Sequence, residues 1–166
     1  MLLDESNQPV LTPGEVGRLY GKCPYMFSHY QTQDGAVSHG EWCDTGDMFY
    51  FDAQGRYFFK DRKKNVIKTG GENVFAAEVE MVLKKHPKVV DAVVIGLPDP
   101  DWGHRIHAIV ETNASLGSKE LIRFALNYLP PYKIPKSIEF TDHIPVNENG
   151  KIVRSKLIEE SLAKGY

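Results

Sequence analysis

Four short stretches of this chain carry side chains whose type and setting suit chemistry on a polar, anionic ligand. Thr45-Gly46-Asp47 puts a carboxylate directly after a glycine turn. There it can accept two hydrogen bonds from a cis-diol such as a ribose, or serve only as a turn residue. Arg62 stands in the charged run Lys60-Asp61-Arg62-Lys63-Lys64-Asn65. Its fixed fork of donors suits hydroxyls or phosphate, and equally a surface ion pair. Lys68-Thr69-Gly70-Gly71-Glu72-Asn73 offers bare backbone at two glycines, so a ligand can approach where a Cβ would clash. This run matches neither the Walker pattern nor G-x-G-x-x-G. Asn149-Gly150-Lys151 lifts a lysine from a tight turn, either as a compact positive charge for a cleft or as a solvated hairpin lysine.

Other chemistries find less support. His104 and His107 fall on opposite faces of an expected strand, so they do not share a metal, and His29, His39, His86 and His143 are scattered. No Ser-His-Asp or Cys-His pairing emerges from the spacing, and no metal ligand set is read. The two cysteines, Cys23 and Cys43, lie outside any Cys-x-x-Cys arrangement and read as free thiols.

These candidates need a scaffold, and composition sets its scale. The 166 residues are 42% hydrophobic and 25% charged, ordinary globular proportions. A chain of this length buries roughly 70% of its unfolded surface, enough for one good core or two small ones sharing a hinge. A formal charge of −2 argues against a protein built to hold nucleic acid. The start has no basic, apolar signal segment, and no run approaches the ~20 apolar residues of a membrane span. The expected setting is cytoplasmic.

The first sixty residues read as strands and turns. Residues 14–20 alternate like a half-buried strand, and 48–51 with 56–59 form a hairpin around Asp52-Ala53-Gln54-Gly55. After the charged run the pattern mixes strands with helices. Val66-Ile67 leads into Gly70-Gly71, with 73–75 as its partner. Residues 76–86 place Val79, Val82 and Leu83 on one helical face, with Glu80 and Lys84 as an i,i+4 pair. The apolar run 89–97 is a central strand and 105–112 the next, with Ile106, Ala108 and Val110 on one face. Ser118 is the expected N-cap of a helix striped by Leu121, Phe124, Ala125 and Tyr128. Strand 137–141 follows. Asn149-Gly150 then turns a hairpin between 144–146 and 151–153, and a last helix over 155–163 turns Leu157, Ile158 and Leu162 inward.

In order along the chain, five segments resemble the carboxyl-terminal part of the adenylate-forming superfamily, most closely its acyl-CoA synthetase (fatty-acid–CoA ligase) branch. These are Gly14-Glu15-Val16 with the stretch from Lys22-Cys23-Pro24 to Tyr30; Gly40-Glu41-Trp42-Cys43-Asp44-Thr45-Gly46-Asp47; the run from Gly55 through Arg62 and Gly70-Gly71 to Glu80; Leu129-Pro130-Pro131-Tyr132-Lys133-Ile134-Pro135; and Ile144 to Arg154 around Gly150-Lys151. Two positions depart from the family pattern. Asn65 replaces a common acidic residue, and Ala76 a common proline.

The resemblance implies an α+β fold: a small C-terminal lid with a central mixed or antiparallel sheet flanked by helices, preceded by a β-rich remnant of a large N-terminal domain. Residues 1–61 are expected to be that remnant and 62–166 the lid, with a hinge near 61–65. It further implies a ligase that joins a carboxylic acid, a fatty acid by preference, to ATP and then to coenzyme A, with Mg²⁺ accompanying the nucleotide. On this pattern Asp47 and Arg62 bind the nucleotide, and Lys64 is the hinge. Lys151 binds it too and is catalytic in adenylation, where a positioned ammonium stabilises charge building on phosphoryl oxygens. Gly70 and Gly71, with Lys68, line the coenzyme A passage. The family's phosphate loop and acyl pocket have no counterpart here, so an N-terminal adenylation domain is the expected partner in cis, and the chain is expected to be inactive alone. An adenylation domain that loads a carrier protein, and a stand-alone non-catalytic α+β binding module, remain the alternatives.

Overall fold

The computed structural model describes residues 1–23, 38–39 and 42–166. The resemblance read over 24–30, and at Gly40 and Glu41, lies outside them. The chain divides into two compact units, Met1–Lys64 and Asn65–Tyr166.

Among its described residues, the first unit is built of strands and turns. β1 (Leu2–Leu3), β2 (Gly17–Gly21), β3 (Ser38–His39), β4 (Trp42–Phe51) and β5 (Tyr57–Arg62) form one sheet, with β4 pairing antiparallel to β2, β3 and β5. The expected hairpin is present in register, Phe51 opposite Tyr57 and Tyr50 opposite Phe58. Asp52 builds its turn: the Asp52 carboxylate accepts from the backbone N–H of Gln54 and Arg56, and Gly55 takes the left-handed φ of +75° that closes it.

The second unit is a sheet covered on both faces. β6 (Val66–Thr69) and β7 (Glu72–Phe75) form a hairpin whose two-residue turn is Gly70-Gly71, at φ +57° and +84°. Both turn positions need positive φ, which glycine adopts without Cβ strain. α1 (Ala76–Leu83) leads to β8 (Asp91–Asp99), β9 (Gly103–Glu111), α2 (Ser118–Ala125), β10 (Ser137–Thr141) and α3 (Arg154–Ala163). β9 lies between β8, which it meets antiparallel, and β10, which it meets parallel, and its first residue, Gly103, pairs with Thr69 of β6. The sheet is therefore mixed and the fold α+β, as the sequence implies.

Alternation along β8 and β9 divides the core. Ala92, Val94, Ile106, Ala108 and Val110 pack with Val79, Leu83 and Leu121 from α1 and α2. Val93, Ile95, Leu97 and Ile109 pack with Leu157 of α3 and Ile144. Helices on both sides explain why 89–97 reads as an unbroken apolar run. Among the described residues, no helix is long and apolar enough to cross a membrane.

Several local expectations give way to tertiary partners. Glu80 and Lys84 do not pair with each other: Lys84 reaches Asp91 at 2.5 Å and Glu80 reaches Arg154 at 2.7 Å. Gly117, not Ser118, occupies the N-cap of α2, where no side chain caps the helix. Tyr128 falls beyond the end of α2 and is exposed, while Leu129 takes the buried place. Leu162 is 45% exposed, and Ser161 turns inward beside Leu157. The turn at Asn149-Gly150 forms, but no strands flank it.

Candidate functional site

Within the first unit, Asp47 and Arg62 come together. They sit opposite each other across β4 and β5, and Arg62 Nε lies 2.9 Å from Asp47 Oδ1. A backbone irregularity aims Asp47. Gly46 sits inside β4 at φ +74°, and the pairing register shifts on both of its edges. Asp44 Oδ1 accepts from Gly46 N at 2.8 Å, and Thr45 Oγ1 donates to the Leu19 carbonyl at 2.9 Å while accepting from Asp47 N at 3.2 Å. Asp44 is itself held by Arg18 at 3.3 Å and by the Tyr20 hydroxyl. Burial and the neighbouring Asp44 carboxylate push the Tyr20 phenol up from its ordinary value. The Asp47 side chain is 24% exposed, its Oδ1 has no aligned hydrogen bond, and Arg62 is 57% exposed. Oδ1 is itself shielded from solvent, so a diol would meet the exposed part of this carboxylate and the open guanidinium. Lys64 lies in the 3-10 turn Lys63–Asn65, at the last position of this unit.

Within the second unit, Lys68, Gly70 and Gly71 share the β6–β7 hairpin, and Lys68 pairs in register with Asn73. The two glycines differ. A Cβ on Gly71 would meet open space, whereas one on Gly70 would lie 2.4 Å from the Trp102 ring. Gly70 N also donates to the Trp102 carbonyl at 3.0 Å. Trp102 is 51% exposed, and Lys136 Nζ stands 5.6 Å from its ring centroid. Lys151 stands on a separate turn with its side chain exposed.

Sequence reasoning missed Asp44, Trp102, Asn147 and Arg154, which shape these turns. Asn147 and Asp44 have a legible signal, each an Asx two residues before a residue whose backbone N–H it accepts; Trp102 and Arg154 act through partners distant in sequence. Among the described residues, no cluster of three or more His, Cys, Asp or Glu could hold a metal ion.

Comparison with known proteins adds to this geometry. Residues 78–151 match the family described as the AMP-binding enzyme C-terminal domain. A 2-succinylbenzoate–CoA ligase of Bacillus licheniformis is 37% identical over 92% of this chain and 33% of its own length. A long-chain-fatty-acid–CoA ligase of Bacillus subtilis is 36% identical over 96% of this chain and 29% of its own. The chain thus spans about a third of the length of the curated relatives it matches. Among solved structures, o-succinylbenzoate CoA synthetase of Bacillus subtilis with its acyl-adenylate intermediate matches with a TM-score of 0.84 and 33% identity, over 94% of this chain and 33% of its own. The same synthetase in complex with ATP and magnesium ion gives 0.83 and 32%, with the same coverage. Sequence motifs, fold and relatives agree that this chain belongs with the adenylate-forming enzymes, as a match to their C-terminal domain, and the curated relatives named above are acyl–CoA ligases.

Proposed function

We propose that the chain works as the C-terminal portion of an ATP-dependent acid–CoA ligase whose large N-terminal adenylation domain lies in cis. In this reading residues 1–61 complete the large domain, 62–166 are its lid, and Lys64 is the hinge. The observation that carries it is the Asp47–Arg62 pair, held in register across β4 and β5, the two residues to which the resemblance assigns the nucleotide.

The carboxylate of the acid attacks the α-phosphorus of ATP, the bond to the β-phosphate breaks, and pyrophosphate leaves. The coenzyme A thiolate then attacks the acyl carbon and AMP departs. Asp47 accepts from the ribose hydroxyls, and Arg62 donates beside it. Lys151 brings a fixed positive charge to the α-phosphate and the substrate carboxylate while charge moves onto pyrophosphate. A lid that turns about Lys64 then withdraws Lys151 and presents the Gly70-Gly71 turn with Lys68 to the pantetheine arm. The open space at Gly71 fits a thin chain, whereas the space left at Gly70 is taken by Trp102. Mg²⁺ would accompany ATP and offset triphosphate charge.

Lys151→Ala in a complete enzyme tests this assignment. Adenylate formation falls far more than thioester formation from preformed adenylate, and equal loss in both half-reactions refutes it. ATP–pyrophosphate exchange with a panel of acids, long-chain fatty acids and 2-succinylbenzoate among them, names the substrate. Robust exchange by this chain alone overturns the requirement for an N-terminal domain.

A further inference from the structure

The turn that carries Lys151 is built by one side chain. The Asn147 carboxamide oxygen accepts from the backbone N–H of Lys151 at 2.9 Å and of Asn149 at 3.0 Å. The Asn147 backbone N–H donates to the Lys151 carbonyl at 2.9 Å, and its carbonyl accepts from Gly150 N at 2.8 Å. Both peptide groups of Lys151 are thus fastened to Asn147. Gly150 supplies the bend at φ +71°, with open space where a Cβ would stand.

The ends of the loop are anchored separately. Ile144 is 3% exposed and its N–H donates to Glu111 Oε2 at 2.8 Å, while Arg154 is held by Glu80 and the Val94 carbonyl. Between these anchors no strand ladder orients the chain, so the direction of the Lys151 Cα–Cβ bond follows from the Asn147 bonds. A lysine ammonium is a point charge on a flexible stem. The stem's origin and direction are what the backbone can fix.

We propose that Asn147 is a positioning residue for Lys151, acting through the backbone and not by touching substrate. This rests on the reading of Lys151 given above. Asn147 is exposed and its bonds are local, so removing its carboxamide leaves both core clusters intact. What changes is the aim of the ammonium in the one half-reaction that uses it. Misplacement on the order of 1 Å lowers such a rate by about a hundredfold.

The test uses a complete enzyme carrying Asn147→Ala, Asn147→Ser or Lys151→Ala. Adenylate formation, transfer from preformed adenylate to coenzyme A, and melting temperature are measured on each. Asn147→Ala is expected to lower the kcat of adenylation about ten- to hundredfold, leaving transfer, the KM for ATP and the melting temperature near parental values. Asn147→Ser restores part of the rate, because a hydroxyl accepts the same N–H groups more weakly. Parental adenylation in Asn147→Ala, equal loss in both half-reactions, or no recovery in Asn147→Ser overturns the proposal. If Lys151→Ala suppresses adenylation and Asn147→Ala does not, this proposal alone falls; if Lys151→Ala leaves adenylation intact, the reading of Lys151 falls and takes this one with it.

Discussion

Arg154 and Glu80 meet 2.7 Å apart at the open edge of β8, and both bind the same residue, Val94. Glu80 Oε1 accepts from Val94 N at 2.8 Å, and Arg154 Nη1 donates to the Val94 carbonyl at 2.5 Å. Among the described residues β8 pairs with β9 alone, so its outward peptide groups have no strand partner there. The ion pair supplies one, and it joins α1 on one face of the sheet to α3 on the other.

Glu80→Ala leaves Val94 N and the Arg154 guanidinium without this partner at a site where Glu80 is 13% exposed. The expected loss is about 2–4 kcal/mol of unfolding free energy. Glu80→Gln, which keeps an acceptor for Val94 N, costs less. In a double-mutant cycle with Arg154→Ala the coupling is expected to exceed about 1 kcal/mol, as for residues in one network. Additive losses in urea titrations would refute the clamp.

The two glycines of the β6–β7 turn respond differently to an added methyl. Gly71→Ala meets only the strain of its positive φ, on the order of 1 kcal/mol. Gly70→Ala meets that strain and also the Trp102 ring, which a Cβ would approach to 2.4 Å. Trp102 is half exposed and can yield, so the ring moves. Its indole emission is expected to shift in Gly70→Ala and to stay unchanged in Gly71→Ala. The same response in both variants would show that the contact is not what separates them.

These two sites show how much the sequence discloses. The turns at Asp52–Gly55 and Gly70-Gly71 are readable because glycine, aspartate and their neighbours fix the backbone locally. The partners of Glu80 and Lys84 are not. Helical spacing places both on one face, but Arg154 and Asp91 reach them from elements far along the chain, and a well-aligned tertiary partner displaces an exposed i,i+4 pair worth only a few tenths of a kcal/mol. The same limit applies to the site. Thr45-Gly46-Asp47 announces a turned carboxylate, and the family pattern supplies Arg62. Their contact comes from the β4–β5 register, whose shift after Met48 no spacing reveals.

His107 is expected to make the second unit sensitive to mild acid. It is fully buried, its Nδ1 lies 2.7 Å from Ser137 Oγ, and its Nε2 lies 3.8 Å from Glu139. Burial pushes its imidazole down to about 4, against the raising pull of Glu139. Between that value and the ordinary 6.5, the unfolded chain binds a proton that the folded one does not. Stability from this group is therefore present above about pH 6.5 and lost as pH falls toward 4, with a slope of at most about 1.4 kcal/mol per pH unit. The urea midpoint of this unit should fall across that window, and His107→Gln should flatten the fall even where it lowers stability throughout. An unchanged slope in His107→Gln would assign the acid sensitivity to other groups.

The Asp47–Arg62 pair separates nucleotide binding from folding. Arg62 is 57% exposed and Asp47 24%, and an ion pair with one partner so exposed is expected to contribute about 1 kcal/mol. Arg62→Ala and Asp47→Asn should therefore leave the melting temperature of a complete enzyme close to parental. Under the proposed function the same changes remove a donor and weaken an acceptor at the ribose. The KM for ATP is then expected to rise about tenfold for each, the equivalent of one charge-assisted hydrogen bond. Asp44→Ala should raise it too without touching the nucleotide, because Asp44 holds the Gly46 amide that sets the direction of Asp47. The order expected is Asp47→Asn, then Arg62→Ala, then Asp44→Ala, read as KM for ATP in pyrophosphate exchange. Loss of stability in step with loss of ATP binding across the three variants would instead make this pair a structural brace of the β4–β5 hairpin.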